Sequence, residues 1–113
     1  MKMLKMEMSD PIFGAGEART AVATFPVKPA ALACTAELWL TRDGTTKAAT
    51  SGKIPFTSTG VDQSVSCPVT MPVEEGFAYQ VRLDVQANGI LISAYVADED
   101  VIIPWVGPPI ITW

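Results

Sequence analysis

The sequence predicts an all-β domain: two antiparallel sheets packed face to face and built from about seven strands. Three observations carry that expectation. Apolar and polar residues alternate with period two along several segments. Turn dipeptides stand between them, Asp43-Gly44 and Asn88-Gly89 above all. Prolines close the segments, at Pro26, Pro29, Pro72 and Pro104, where the missing N–H ends a ladder.

Taken in order, Leu4, Met6 and Met8 alternate with Lys5 and Glu7 as in a half-buried strand. From Ala18 to Val27 one face carries Ala18, Thr20, Val22, Thr24 and Pro26. The other carries Arg19, Ala21, Ala23, Phe25 and Val27. From Ala31 to Arg42, Cys34, Ala36, Leu38 and Leu40 alternate with Thr35, Glu37, Trp39 and Thr41. The alanines there also suit a helix, but the clean alternation runs into Asp43-Gly44 and favours a strand and hairpin. Residues 47–50 then read as a short return strand, 53–57 as an edge piece around Pro55, and Ser58-Thr59-Gly60 as a turn.

Val61 to Met71 places Val61, Val65, Cys67, Val69 and Met71 on one face, interrupted by Gln63. The most regular stretch sets Phe77, Tyr79, Val81, Leu83, Val85 and Ala87 against Gln80, Arg82, Asp84 and Gln86. Asn88-Gly89 is the dipeptide that a type I′ turn prefers. Strict alternation beyond it puts Ile90, Ile92, Ala94 and Val96 on the core face. Asp98-Glu99-Asp100 breaks the pattern as a solvated bulge before Val101-Ile102-Ile103 resumes it. The expected division is a sandwich over residues 1–104 and an apolar, proline-rich tail or linker over 105–113.

Composition narrows the functional classes. The 113 residues are 49% apolar and 18% charged, so one domain with a real core is expected. The chain has no histidine, which removes histidine-based triads and histidine-ligated metals. A net charge of −4 argues against a nucleic-acid partner, and no apolar run is long enough for a membrane helix. The first eight residues lack the apolar core of a secretory signal. The expected settings are therefore the cytoplasm, a virion, or a fragment of a surface protein.

Val73-Glu74-Glu75-Gly76-Phe77-Ala78-Tyr79-Gln80-Val81-Arg82-Leu83 resembles the E–F corner of fibronectin type III and related immunoglobulin-like domains. The resemblance matches Tyr79 to the corner tyrosine, Gly76 to the corner glycine and Val73 to the apolar residue. It implies a buried Tyr79 ring whose hydroxyl bonds upstream backbone. Leu38-Trp39-Leu40-Thr41-Arg42-Asp43-Gly44 is similar to a strand C running into its hairpin. Cys34 and Cys67 stand 33 apart, with Cys34 in the same strand as Trp39, which departs from the antibody pattern. The resemblance therefore implies an immunoglobulin-like sandwich that is not an antibody domain.

Cys34 and Cys67 both fall on apolar faces, as two buried free thiols or as an inter-sheet disulfide. The lack of a signal segment favours the thiols. With no histidine to activate it, neither is expected to be catalytic. Asp98-Glu99-Asp100, with Asp84 or Glu74, offers oxygens to calcium but lacks the spaced loop pattern. Glu37, Asp84 and Glu99 are the carboxylates that a glycosidase would need, with nothing to set them in a cleft.

Trp39 and Tyr95 are expected on the outer sheet face, open to a sugar or a protein, or with Trp39 covered by the tail. Trp105 and Trp113 belong to an uncharged tail whose exposure would be costly. It is expected to pack near Trp39 or to add as a strand to a neighbouring chain. Together these features predict a non-catalytic structural or protein-interaction module without cofactor, with a protein partner or self-association. A bacterial multidomain surface protein or a phage or virion assembly would supply such a setting. The alternative is a carbohydrate- or small-ligand-binding module that uses the outer aromatics.

Overall fold

The computed structural model describes residues 10–113, and the strand expected over Leu4 to Met8 lies outside them. Among the described residues there is no helix. Seven strands follow one another: β1 (Ala18–Pro26), β2 (Ala33–Thr41), β3 (Ala49–Thr50), β4 (Ile54–Thr57), β5 (Asp62–Thr70), β6 (Phe77–Ala87) and β7 (Ile90–Ile103). They form two antiparallel sheets. β1 pairs with β5 alone, while the larger sheet runs β3-β2-β6-β7 with β4 also on β2.

The inward faces of both sheets meet in one core. Ala23 and Phe25 from β1 and Val65, Cys67 and Val69 from β5 bury against Leu38, Leu40, Val81, Leu83 and Val85 of the larger sheet. In β1, β2 and β6 these residues share the more apolar of the two faces that the alternation separates. Phe25 meets Phe56 edge to face at 5.7 Å between ring centroids, an arrangement aromatic quadrupoles favour. Val61 does not join them. It stands exposed before β5, which begins at Asp62.

The β2–β3 connection differs from a tight Asp-Gly hairpin. It runs over residues 42–48 and wraps around the Asp43 carboxylate. That oxygen accepts the backbone N–H groups of Thr45 (2.9 Å) and Thr46 (2.7 Å) and the Thr41 hydroxyl (3.0 Å). An aspartate that bonds the backbone ahead of it stabilises a wider turn than the dipeptide alone predicts. These donors, the Thr46 N–H first, hold the Asp43 carboxyl far below the usual carboxylate range. At Asn88-Gly89 the expected turn is present, with φ of +51° and +80°, the left-handed values that a type I′ turn requires.

The chief correction concerns β7. Ala87 pairs with Ile90 and Gln86 with Leu91, but Val85 pairs with Ser93. Ile92 is therefore an extra residue without a partner, and such a bulge turns every later side chain to the other face. Tyr95 and Ala97 point into the core, while Ala94 and Val96 point out. A second irregularity sets Val81 against three residues, Ala97 to Glu99, before Gln80 pairs with Asp100. Two extra residues leave the facing unchanged, so Val101 and Ile103 bury on the same side as Tyr95 and Ala97.

β7 is an edge strand. Residues 10–13 cover one end of its free edge. Ile12 forms a parallel bridge to Ile102, the Phe13 N–H donates to the Ile102 carbonyl (3.1 Å), and the Ile102 N–H donates to Pro11 (2.9 Å). The Asp10 carboxylate accepts the Asp100 N–H. Among the described residues, no backbone pairing is seen along the remainder of that edge. No helix of the described residues is long and apolar enough to cross a membrane.

Candidate interaction surface

β7 joins two poles of the molecule. At one pole its first residues leave the Asn88-Gly89 turn, and three consecutive apolar side chains, Ile90, Leu91 and Ile92, stand largely in solvent, Ile90 at 67% exposure. Their exposure follows from position. Leu91 faces outward with Gln86, and Ile92 is the unpaired residue of the bulge. Beside them lies a groove of about 320 Å³ lined by Pro26, Val27, Lys28, Leu32, Ala87 and Ile92.

The far wall of this groove, the β1–β2 loop, is held by Ser58. Its hydroxyl donates to the Pro29 carbonyl (2.7 Å) and accepts the Leu32 N–H (2.9 Å). Its backbone N–H donates to the Leu32 carbonyl, and its own carbonyl accepts the Ala31 N–H. Ala31 sits at φ +70° in that loop, a conformation that costs about 1–2 kcal/mol for a residue other than glycine. The Asn88 N–H donates to the Ala33 carbonyl (2.9 Å) and fixes the turn against the same wall.

The opposite pole is where Ile103 ends β7 and the tail departs. Gly76 donates its N–H to the Ile103 carbonyl, and its φ of +85° is glycine's own territory. The Trp105 Cβ lies within 3.3 Å of where a Gly76 Cβ would stand. Tyr79 is buried, and its hydroxyl donates to the Glu74 carbonyl at 3.0 Å. That is the backbone bond the corner resemblance implies. Burial pushes the Tyr79 phenol up from its ordinary value. Next to this corner a polar cleft of about 230 Å³ includes Arg42, Asp43, Glu74 and Tyr79 in its walls. Arg42 pairs with Glu74 (3.3 Å) and stacks 3.9 Å over the Phe77 ring.

Beyond Trp105 the tail is in solvent. Trp105 is 63% exposed, Ile110 is 95% exposed, and Val106, Ile111 and Trp113 are open as well. The expected packing of the tail near Trp39 is therefore absent from the isolated chain. Pro108 and Pro109 hold the segment extended, away from compact self-contact.

The outer aromatics are placed differently from expectation. Trp39 does face outward, yet only 7% of it is exposed. Its indole N–H donates to Asp84 (3.1 Å), and the Lys47 ammonium and Arg82 guanidinium lie 5.3 and 5.5 Å from the ring centroid. Cross-strand register explains the cover, because Trp39 stands between Thr50 and Arg82. Long cationic side chains lie down over apolar surface and keep their charges wet. Tyr95 is 7% exposed on the inner face, opposite Leu83. The structure thus offers no outer platform made of Trp39 and Tyr95.

The carboxylates are engaged or dispersed. Glu37 and Asp84 are cross-strand partners on the outer face. Glu37 accepts both the Lys47 ammonium (2.9 Å) and the Thr50 hydroxyl. Burial raises its carboxyl, but the Thr50 and Lys47 contacts outweigh that and hold it below its ordinary value. Glu99 lies in the second bulge, with one carboxylate oxygen buried and unpartnered. Among the described residues, no three acidic or thiol groups gather as metal ligands. Cys34 and Cys67 are both buried and free, and burial pushes the Cys67 thiol up.

No family model, no curated protein and no solved structure matches this chain. Function has to be argued from the surface itself. The sequence reading missed the groove at the hairpin pole, because its walls come from segments some 60 residues apart. One signal was available: the run Ile90-Leu91-Ile92, too apolar throughout for a strand with one wet face.

Proposed function

We propose that this chain is a non-catalytic structural or protein-interaction module, an immunoglobulin-like sandwich of the fibronectin type III kind. The strand order supports the fold: β1 and β5 answer to strands B and E of that family, and β2, β6 and β7 to strands C, F and G. The Tyr79 hydroxyl on the Glu74 carbonyl supplies the corner.

The single observation behind the functional reading is apolar surface left in water at both poles. Ile90, Leu91 and Ile92 stand open at one, and Val106, Ile110, Ile111 and Trp113 at the other. Contiguous exposed apolar side chains of this kind mark sites of association. A bacterial multidomain surface protein or a phage or virion assembly is the setting that suits a small module with sticky ends. The carbohydrate-binding alternative has less to stand on, since Tyr95 faces inward and Trp39 is covered.

A photo-crosslinking residue at position 90 or 113, in cells that naturally make the protein, tests this reading. Adducts to a protein are expected from both positions and not from an outer-face control at Thr20, which is also exposed. Adducts to glycan, or none above the control, would overturn it.

A further inference from the structure

We propose that the groove at the hairpin pole is a docking site for the C-terminal segment of a second copy of this chain. The proposal rests on the interaction reading above and names its partner.

The two surfaces match in chemistry. The groove is apolar apart from Lys28, and its rim continues into Ile90 and Leu91. Residues 105–113 carry no charged side chain and present Trp113, Ile111 and Ile110 fully or largely exposed. The groove's 320 Å³ is at the lower end of the ~300–1,000 Å³ range of ligand pockets, enough for one indole and a flanking aliphatic side chain. The Lys28 ammonium then lies at its edge, where a cation can sit over an aromatic face.

The direction in which the tail leaves β7 and its exposure in the single chain point to an occupant from another copy. Three residues of β7 are taken up by its two bulges, so from Ile92 to Ile103 it runs alongside only about eight residues of β6, roughly 27 Å at about 3.3 Å per residue. Residues 104–113 extend at most about 34 Å even when fully stretched. They would first have to reverse direction at the Ile103 pole, and Pro108 and Pro109 oppose such folding. A chain's own tail would therefore spend nearly its whole length on the return, and in its own structure the tail stands in solvent, not in the groove. A neighbouring copy, with its tail pole beside this groove, delivers the segment without strain. The contact is heterologous, groove on one copy and tail on the other. Burying the exposed tail side chains against groove and rim removes on the order of 1,000 Å² in total, the size at which specific interfaces begin.

Sedimentation equilibrium of this 113-residue chain, with two kinds of variant, tests the proposal. Ile92→Asp or the rim variant Ile90→Asp disables the groove, and both sites are exposed enough for the fold to persist. Ile111→Ser with Trp113→Ser disables the tail. The unaltered chain should self-associate with rising concentration, while each variant, its melting temperature unchanged, should stay monomeric. An equimolar mixture of a groove variant and the tail variant restores one intact contact and should form one-to-one pairs. A monomeric unaltered chain at millimolar concentration, or association untouched by either variant, overturns the proposal. If the purified chain is monomeric while positions 90 and 113 still crosslink to another protein in cells, the self-docking falls and the interaction reading stands.

Discussion

Leu83 on β6 stands opposite Tyr95 on β7, and both side chains are buried in the core between the sheets. Directly opposed residues of an antiparallel pair share a face. The inward Leu83 therefore carries Tyr95 in with it, and Val96 follows Arg82 outward.

This pairing sets an order of mutational costs on adjacent residues. Tyr95→Ala should destabilise the domain by about 3–5 kcal/mol, the usual range for emptying a large aromatic site. Val96→Ala, on the outer face, should cost less than about 1 kcal/mol. Urea denaturation of the two variants decides it, and the reverse order would mean that Ile92 is not a bulge.

The Tyr79 corner has its own measurable contribution. Tyr79→Phe keeps the buried ring and removes only the bond to the Glu74 carbonyl. The expected loss is about 0.5–1.5 kcal/mol, the net value of a typical hydrogen bond. An unchanged denaturation midpoint would show that the hydroxyl finds equal partners in water.

Gly76 should tolerate no side chain. Its φ of +85° disfavours any L-residue, and an added Cβ would meet Trp105 at 3.3 Å. Gly76→Ala should cost at least the ~1–2 kcal/mol of a left-handed conformation. It should also shift the tryptophan fluorescence, since Trp105 must give way. A variant with both properties unaltered would contradict this geometry.

Cys34 and Cys67 should titrate as two free thiols in unfolded, unreduced protein. In the folded protein both should react slowly, because both are buried and burial disfavours the Cys67 thiolate. The melting temperature should not respond to reductant. Loss of titratable thiol, or a melting point lowered by reductant, would instead indicate a bridge.

Acid should weaken the outer face through Glu37. Its folded carboxyl lies below its ordinary value because the Thr50 and Lys47 contacts outweigh burial. A depressed folded pKa means that the stabilisation is fully present above the ordinary glutamate range. It is lost as pH falls from that range through the lower folded value. Glu37→Gln should be less stable than the parent at neutral pH and should lose less stability across that acid window. Parallel stability-against-pH curves for the two would refute the assignment.

The amino-acid sequence by itself determined the all-β class, which side chains share a face in β1, β2 and β6, and the Asn88-Gly89 turn. Each of these is local, because alternation of period two and a dipeptide's φ preference act within a few residues. Tyr79, Gly76 and Val73 were legible through the resemblance that residues 73–83 carry, while the choice of the Glu74 carbonyl as acceptor came from the structure. Tertiary structure decided what depends on partners distant in the chain. The Ile92 bulge relieves β7 of a register its own alternation prefers, since it buries Tyr95, Ala97 and Val101 against β6 in place of Ile92 and Val96. Trp39 looks exposed in sequence and is covered because the β2–β3 connection and β6 bring Lys47 and Arg82 across it. The groove at the hairpin pole exists only where the β1–β2 loop, pinned by Ser58, comes to face the start of β7. Side-chain facing in an edge strand and the walls of a groove are set by long-range packing, which no local pattern encodes.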